Sequence, residues 1–257
     1  YGRWDYAIGL SDRLRLGFEG AMINGETDRL TSEGAHSIGA NDLQVASFGA
    51  LALIGATLAD GRLNAALEAG YASADVNPED NKLTRFTMDH NHRVGVLIIP
   101  QLWRHITERT VINTSDPGRS GAPPKGIDRY ASRGAVTGLA YLNPRVSFRL
   151  KPKGKLALHG AYVLAALPDG AADPYQSFRQ GGATNPFVGS ADAHLLGQEV
   201  DLGVSVTTNL RKQYALWLSL EGAVGLPGAA TADLAGDRAP LYALRVFVEL
   251  RGRETSR

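Results

Sequence analysis

The stretch from Phe86 to Arg109 gathers most of the residue types that do chemistry: Asp89, His90 and His92, then Arg93, Arg104, His105 and Glu108 around an apolar run, Val94 to Ile99. Asp89, His90 and His92 could offer oxygen and imidazole ligands to a metal, with His105 as a third histidine. No helical His-x-x-x-His spacing or second ligand pair accompanies them, so polar loop histidines without a metal is the plainer reading. For nucleophilic catalysis there is no Gly-x-Ser-x-Gly elbow and no phosphate-cradling Gly loop. His159 alone among the histidines falls on a predicted inward strand position, where a Ser of a neighbouring strand could complete a hydrolase pair. A solvated or hydrogen-bonded His is the plainer reading there too. The expectation is a protein that is not an enzyme, with no catalytic residue, no metal and no cofactor.

Composition narrows the elements that can hold these residues. The chain has 257 residues, 27 Lys+Arg against 26 Asp+Glu, a net charge of +1 and 44% hydrophobic residues. That balance gives no basic footprint for nucleic acid and is too apolar for a disordered chain. The absence of Cys removes disulfides, thiolate zinc sites and Cys nucleophiles together. No run of 18 apolar residues exists to make a membrane helix. A barrel strand needs only about 9 to 11 alternating residues, so a membrane is still open. The chain begins at Tyr1 without a signal segment, which predicts either a removed export signal or a trimmed fragment.

Period-two alternation supplies the elements, in about nine segments. Leu14, Leu16, Phe18 and Met22 alternate with Arg13, Arg15 and Glu19; Val200, Leu202, Val204 and Val206 alternate with Glu199, Asp201, Ser205 and Thr207; Leu244, Val246, Val248 and Leu250 alternate with Arg245, Glu249 and Arg251. The segment 43–58 is irregular, since Leu51 and Leu53 fall opposite Phe48 and Ile54, and a β-bulge is predicted there. Pro144 is awkward for a strand paired on both sides.

Tight connections at 11–12, 59–61, 151–154 and 210–212 alternate with long polar ones at about 27–41, 76–133, 168–196 and 227–238. Short turns at one end and long loops at the other are the asymmetry of an outer-membrane barrel. Trp4, Tyr6, Tyr71, Tyr162 and Tyr242 are assigned to the long-loop ends, and Phe148 and Tyr214 to the tight-turn ends, as two interfacial belts. The fold expected is therefore all-β, an antiparallel up-and-down transmembrane β-barrel in a single domain over 1–257. Barrels close with an even strand number, so at least one strand is expected upstream, giving ten or more in a larger barrel. A soluble barrel with its aliphatics packed inside satisfies the same alternation.

In the membrane reading, Arg15, Glu19, Glu68, Arg145, Arg149, His159, Glu199, Asp201, Glu221, Arg245 and Glu249 line a wet, mixed-charge lumen. The run 94–99 needs a buried place. Either the 76–133 connection folds into the lumen, with Arg93, Arg104, His105 and Glu108 near a constriction, or it adds a membrane strand or hairpin.

Nearly the whole chain looks like a Gram-negative outer-membrane β-barrel, and the phrases FTMDHNHRVGVLI (86–98) and GLAYLNP (138–144) are similar to segments of alginate-export-like porins. That resemblance implies a passive conduit for an anionic polysaccharide, with Arg15, Arg145, Arg149 and Arg245 as its cationic lining; the inward acids depart from it. The segment Tyr242–Leu250 resembles the C-terminal signal read by barrel-assembly machinery. The expected function is an outer-membrane channel for polar or anionic solutes. The alternatives are an anchoring barrel with a closed lumen, in contact with envelope-complex proteins, and an outer-membrane hydrolase. Lipid is the expected surroundings and nucleic acid is not a partner.

Overall fold

The computed structural model describes residues 2–9, 12–27, 42–75, 80–89, 91–103, 135–150, 155–171, 185, 190–211, 214–231 and 239–252. Nine long strands form an antiparallel meander: β1 (Gly2–Ala7), β2 (Arg13–Thr27), β3 (Leu43–Leu58), β4 (Leu63–Ala72), β6 (Leu139–Arg149), β7 (Leu156–Ala166), β8 (Leu195–Arg211), β9 (Tyr214–Pro227) and β10 (Leu241–Gly252). A two-residue strand, β5 (Lys82–Leu83), lies parallel to Gln44 and Val45 of β3. It occupies the flank of β3 beyond Gly49, where β4 has ended. Among the described residues no helix is long and apolar enough to cross a membrane.

The pleat sends successive side chains to opposite faces, and the two faces of this sheet differ in kind. On one, Leu202 is 67% exposed and Leu244 75%, in the company of Phe48, Ile54, Leu67, Leu142, Val146, Leu158, Val200, Leu220 and Val246, all exposed. On the other, Glu68, Glu199, Asp201, Ser205 and Ser219 are buried. The greasy parity is thus the bare face and the polar parity the covered one. This is the reverse of a soluble barrel with aliphatics packed centrally.

Three expectations need correction. No bulge interrupts β3, whose register with β2 runs unbroken from Arg13↔Thr57 to Thr27↔Leu43. Leu51 lies on the covered face, where it packs against the buried cluster, and it shares that parity with the buried Leu43. The register shifts lie instead at Ala165/Ala166 and Asn209/Arg211. Trp4 and Tyr6 pair with Leu16 and Leu14, close to the β1–β2 turn, so both belong to the tight-turn end. Nor does the connection after β4 insert a strand in the sheet between its neighbours, since β4 pairs directly with β6 through ten consecutive partners.

Pro144 has a local solution. The β6–β7 ladder stops at Leu142↔Leu164 and resumes at Arg145↔Ala161 in the same register, so the missing N–H leaves a gap without a slip. The turn after β3 puts Ala59, Asp60 and Gly61 at φ of 54°, 56° and 76°, closed by Arg62 N–H donating to the Ala59 carbonyl at 3.1 Å. A primed turn of this hand matches the twist of a hairpin. An added Cβ at Gly61 meets nothing within 4 Å, so the cost of Gly61→Ala is purely conformational. Urea unfolding of the refolded protein should show a loss of about 1 kcal/mol.

Candidate functional site

Residues 84–103 lie on the covered face and build the site there. Met88 N–H donates to the Val136 carbonyl at 2.9 Å, and Trp103 Nε1–H donates to the Ala135 carbonyl at 2.8 Å, tying both ends of the segment to the approach to β6. Between these ties the chain makes bends and then a helical turn from Ile99 to Trp103. Val94, Ile99 and Trp103 are buried with Leu139, Tyr141, Val163 and Leu196, while Leu97 and Ile98 are buried against Ala223. The apolar run thus buries against apolar residues of the covered face at the long-loop end of the sheet.

Two polar groups of the sheet fasten this segment. Glu199 is fully buried, and its carboxylate accepts three backbone N–H groups: Leu97 and Ile98 at 2.7 and 2.9 Å on Oε1, and Ile99 at 2.7 Å on Oε2. A buried carboxylate without a cation is tolerable when several donors converge on it. Gly95 makes the approach possible, because it sits at φ +81° and an added Cβ would stand 2.9 Å from Glu199 Oε2. The second fastening runs from His92 to Arg145. His92 Nε2 lies 2.6 Å from Tyr141 OH, which donates to Glu68 Oε1 at 2.9 Å, while Arg145 donates to Glu68 Oε2 at 2.7 Å. With its only proton given to Glu68, the Tyr141 oxygen accepts from His92, which places a proton on His92 Nε2. The ring of Tyr141 lies over Gly70, its cross-strand partner, where a Cβ would stand 2.2 Å from Cε1.

The remaining predicted residues divide by position. Arg245 is paired with Glu221 on the neighbouring strand, and Arg15 with Asp5 at 2.9 Å on exposed ground. Glu19 is exposed beside a hollow of about 160 Å³ that includes Phe86, Met88 and His92. Arg149 and Arg93 are exposed, and Glu249 occupies the same parity of β10 as Arg245. His90, Arg104, His105 and Glu108 lie outside the described residues. Asp89 accepts the Asn91 N–H at 2.7 Å in a local turn and His92 faces Tyr141, so these two do not converge on a common point. Among the described residues no group of three His, Asp or Glu could hold a metal.

His159 Nε2 lies 2.6 Å from Ser205 Oγ on the adjacent β8. The pair has the first contact of a nucleophile and its base. No carboxylate orients the far nitrogen of the ring among the described residues, and Ser205 is buried. The pair borders a cavity of about 370 Å³ below the segment, whose wall includes Asn64, Arg145, Ser147, Asp201 and Glu221 and whose contact with the segment is Val96.

No protein-family model and no curated protein matches this chain. The site therefore rests on its own geometry. Sequence reasoning gave Tyr141 no role, and it foresaw a serine beside His159 without saying which one, Ser205. The signals for Tyr141 were an aromatic among small polar neighbours and a glycine at its cross-strand position. The donors that hold Glu199 are main-chain groups and carry no side-chain signature.

Proposed function

We propose that this chain forms wall and plug of an outer-membrane conduit in a Gram-negative bacterium, with a mixed-charge lumen occluded at rest by residues 84–103. The observation that carries the reading is the inversion of the two faces: leucines and valines bare on one, carboxylates buried beneath an inserted segment on the other. A continuous apolar surface of that extent needs a nonaqueous neighbour, and lipid is the neighbour that accepts it all round.

Strand direction supports a larger cylinder. β1 and β10 end the sheet, and as first and ninth long strands of a meander they run parallel to each other. Antiparallel closure then requires an odd number of further strands. β10 carries the segment that resembles the signal read by the barrel-assembly machinery. The lumen's arginines favour polar or charged solutes of either sign over an anionic polysaccharide like that implied by the alginate-export resemblance, because Arg15, Arg145 and Arg245 are each held by a carboxylate.

The test is planar-bilayer conductance of the full-length protein. Wild type is expected to be nearly silent, with ohmic steps appearing when the plug is loosened by Glu199→Ala. Silence from both would select the second reading, an anchoring barrel with a permanently closed lumen, which the depth of the Glu199 fastening favours. Hydrolysis of phospholipid micelles lost in His159→Ala would select the hydrolase.

A further inference from the structure

Glu199 and Asp201 stand two residues apart on the covered parity of β8, and both are buried, at 0% and 4% exposure. Glu199 accepts three main-chain N–H groups, two on Oε1 and one on Oε2, and these hold residues 97–99 to the sheet. No N–H or hydroxyl group of the described residues donates to either oxygen of Asp201. Its side chain is hydrogen-bonded to Glu199. An ionised carboxylate only accepts, so a hydrogen bond between two carboxyl groups requires a proton on one of them. A carboxylate offers about four lone-pair sites, and the three N–H groups on Glu199 leave the last of them on Oε2. The other charged and titratable groups around the pair are already engaged. Arg245 on β10 is paired with Glu221 on β9, Arg145 on β6 with Glu68 on β4, and His159 on β7 lies against Ser205. In the covering segment, residues 94–99 carry no ionisable side chain, Arg93 is exposed, and His92 is at the other fastening, on Tyr141.

We propose that Asp201 and Glu199 share one proton, carried by Asp201 and donated to Glu199 Oε2, and that losing it to solvent releases residues 84–103 from the sheet, which makes the fastening a pH-sensitive latch. With the proton in place the pair carries a single negative charge, and three N–H groups converge on it. Without the proton two like charges lie side by side out of water, which is strongly unfavourable. Admitting water relieves them, and the bonds that stand in its way are those to Leu97, Ile98 and Ile99. The closed state holds one proton more than the open state, in which both carboxyl groups are hydrated and ionised, so opening is favoured as the pH rises. The latch rests on the conduit reading only where the released segment is called a plug, and its test measures no current, so its failure is separate from a failure of the conduit.

The full chain is refolded in micelles of a detergent without ester groups and followed by infrared spectroscopy and by hydrogen exchange. At about pH 7 exposed carboxyl groups are ionised, so a protonated-carboxyl C=O stretch marks a buried acid that keeps its proton. The wild type is expected to show that stretch, and Asp201→Asn to lack it. Protection factors at Leu97, Ile98 and Ile99, taken against unstructured amides at the same pH, are then followed from about pH 6 to about pH 10, a range that spans the values of about 8–9 documented for buried carboxyl groups. In the wild type they should fall by up to about tenfold per pH unit once the proton is lost, together with the stretch. Asp201→Asn places a permanent NH2 donor beside Glu199, so its protection should stay level, while His92 and His159 titrate in both proteins. A wild type without the stretch at neutral pH would overturn the shared proton. Protection that ignores pH in the wild type, or falls as steeply in Asp201→Asn, would overturn the latch. Both wild-type readings decide the matter even where the Asn variant does not refold.

Discussion

Glu199→Ala is expected to loosen residues 84–103 from the sheet by about 3–5 kcal/mol while the strands keep their pairing. The side chain is fully buried and accepts from three successive main-chain donors, Leu97, Ile98 and Ile99. Each donor left buried without an acceptor costs about 1–3 kcal/mol. Relaxation and water entry hold the sum near the lower end, close to the cost of removing one side of a buried charged pair. Native-state hydrogen exchange reads this directly: the amides of 97, 98 and 99 should exchange roughly a hundred to several thousand times faster, at about 1.4 kcal/mol per tenfold. Amides in the β8–β9 ladder should change little. Glu199→Gln keeps one acceptor oxygen but turns an NH2 group toward a donor, so about half the loss is expected. Unaltered protection at Leu97 in the Ala variant would mean that apolar packing, not the carboxylate, holds the segment.

Leu202→Arg carries the second large effect, and its size depends on the solvent of the bare face. Leu202 lies midway along β8 and is 67% exposed. If that face met water, the substitution would stay within about 0.5 kcal/mol. If it meets hydrocarbon, an arginine near the midplane costs about 2–4 kcal/mol, falling to about 0–1 near the headgroups. Urea unfolding from phospholipid vesicles should therefore show a loss of 2–4 kcal/mol for Leu202→Arg, by that same scale. Tyr242→Arg, at the start of β10, should lose far less. A flat response across these two positions would remove lipid as the neighbour of the bare face.

The strands were legible because the pleat enforces a period of two and this chain keeps large aliphatics and charges on separate parities for most of its length. The Asp60-Gly61 turn was legible for a related reason, since few residues accept a left-handed backbone. Elsewhere local pattern misled. Leu51 and Leu53 read as a defect in a strand, whereas they lie on the covered parity, where Leu51 packs against the buried cluster. Asp89 and His92 read as potential co-ligands because they are near in sequence. In the folded chain one closes its own turn and the other reaches Tyr141, a contact spacing cannot anticipate. Trp4 and Tyr6 were assigned to the wrong end because the segment offers no long loop of its own to orient it, and only pairing with Leu16 and Leu14 sets their height.

The sequence by itself determined which residues share a face, because alternation along an extended backbone follows from covalent geometry. Tertiary structure alone decided which face the 84–103 segment would cover and how the charges beneath it would be partnered. Glu68, Glu199, Asp201 and Glu221 are equivalent in the pattern, four acids on the polar parity. They differ in the fold because one meets a tyrosine and an arginine, one meets main-chain donors from far along the chain, one meets a cross-strand arginine, and Asp201 is buried beside Glu199. Partner choice at that range is set by how apolar surface is buried.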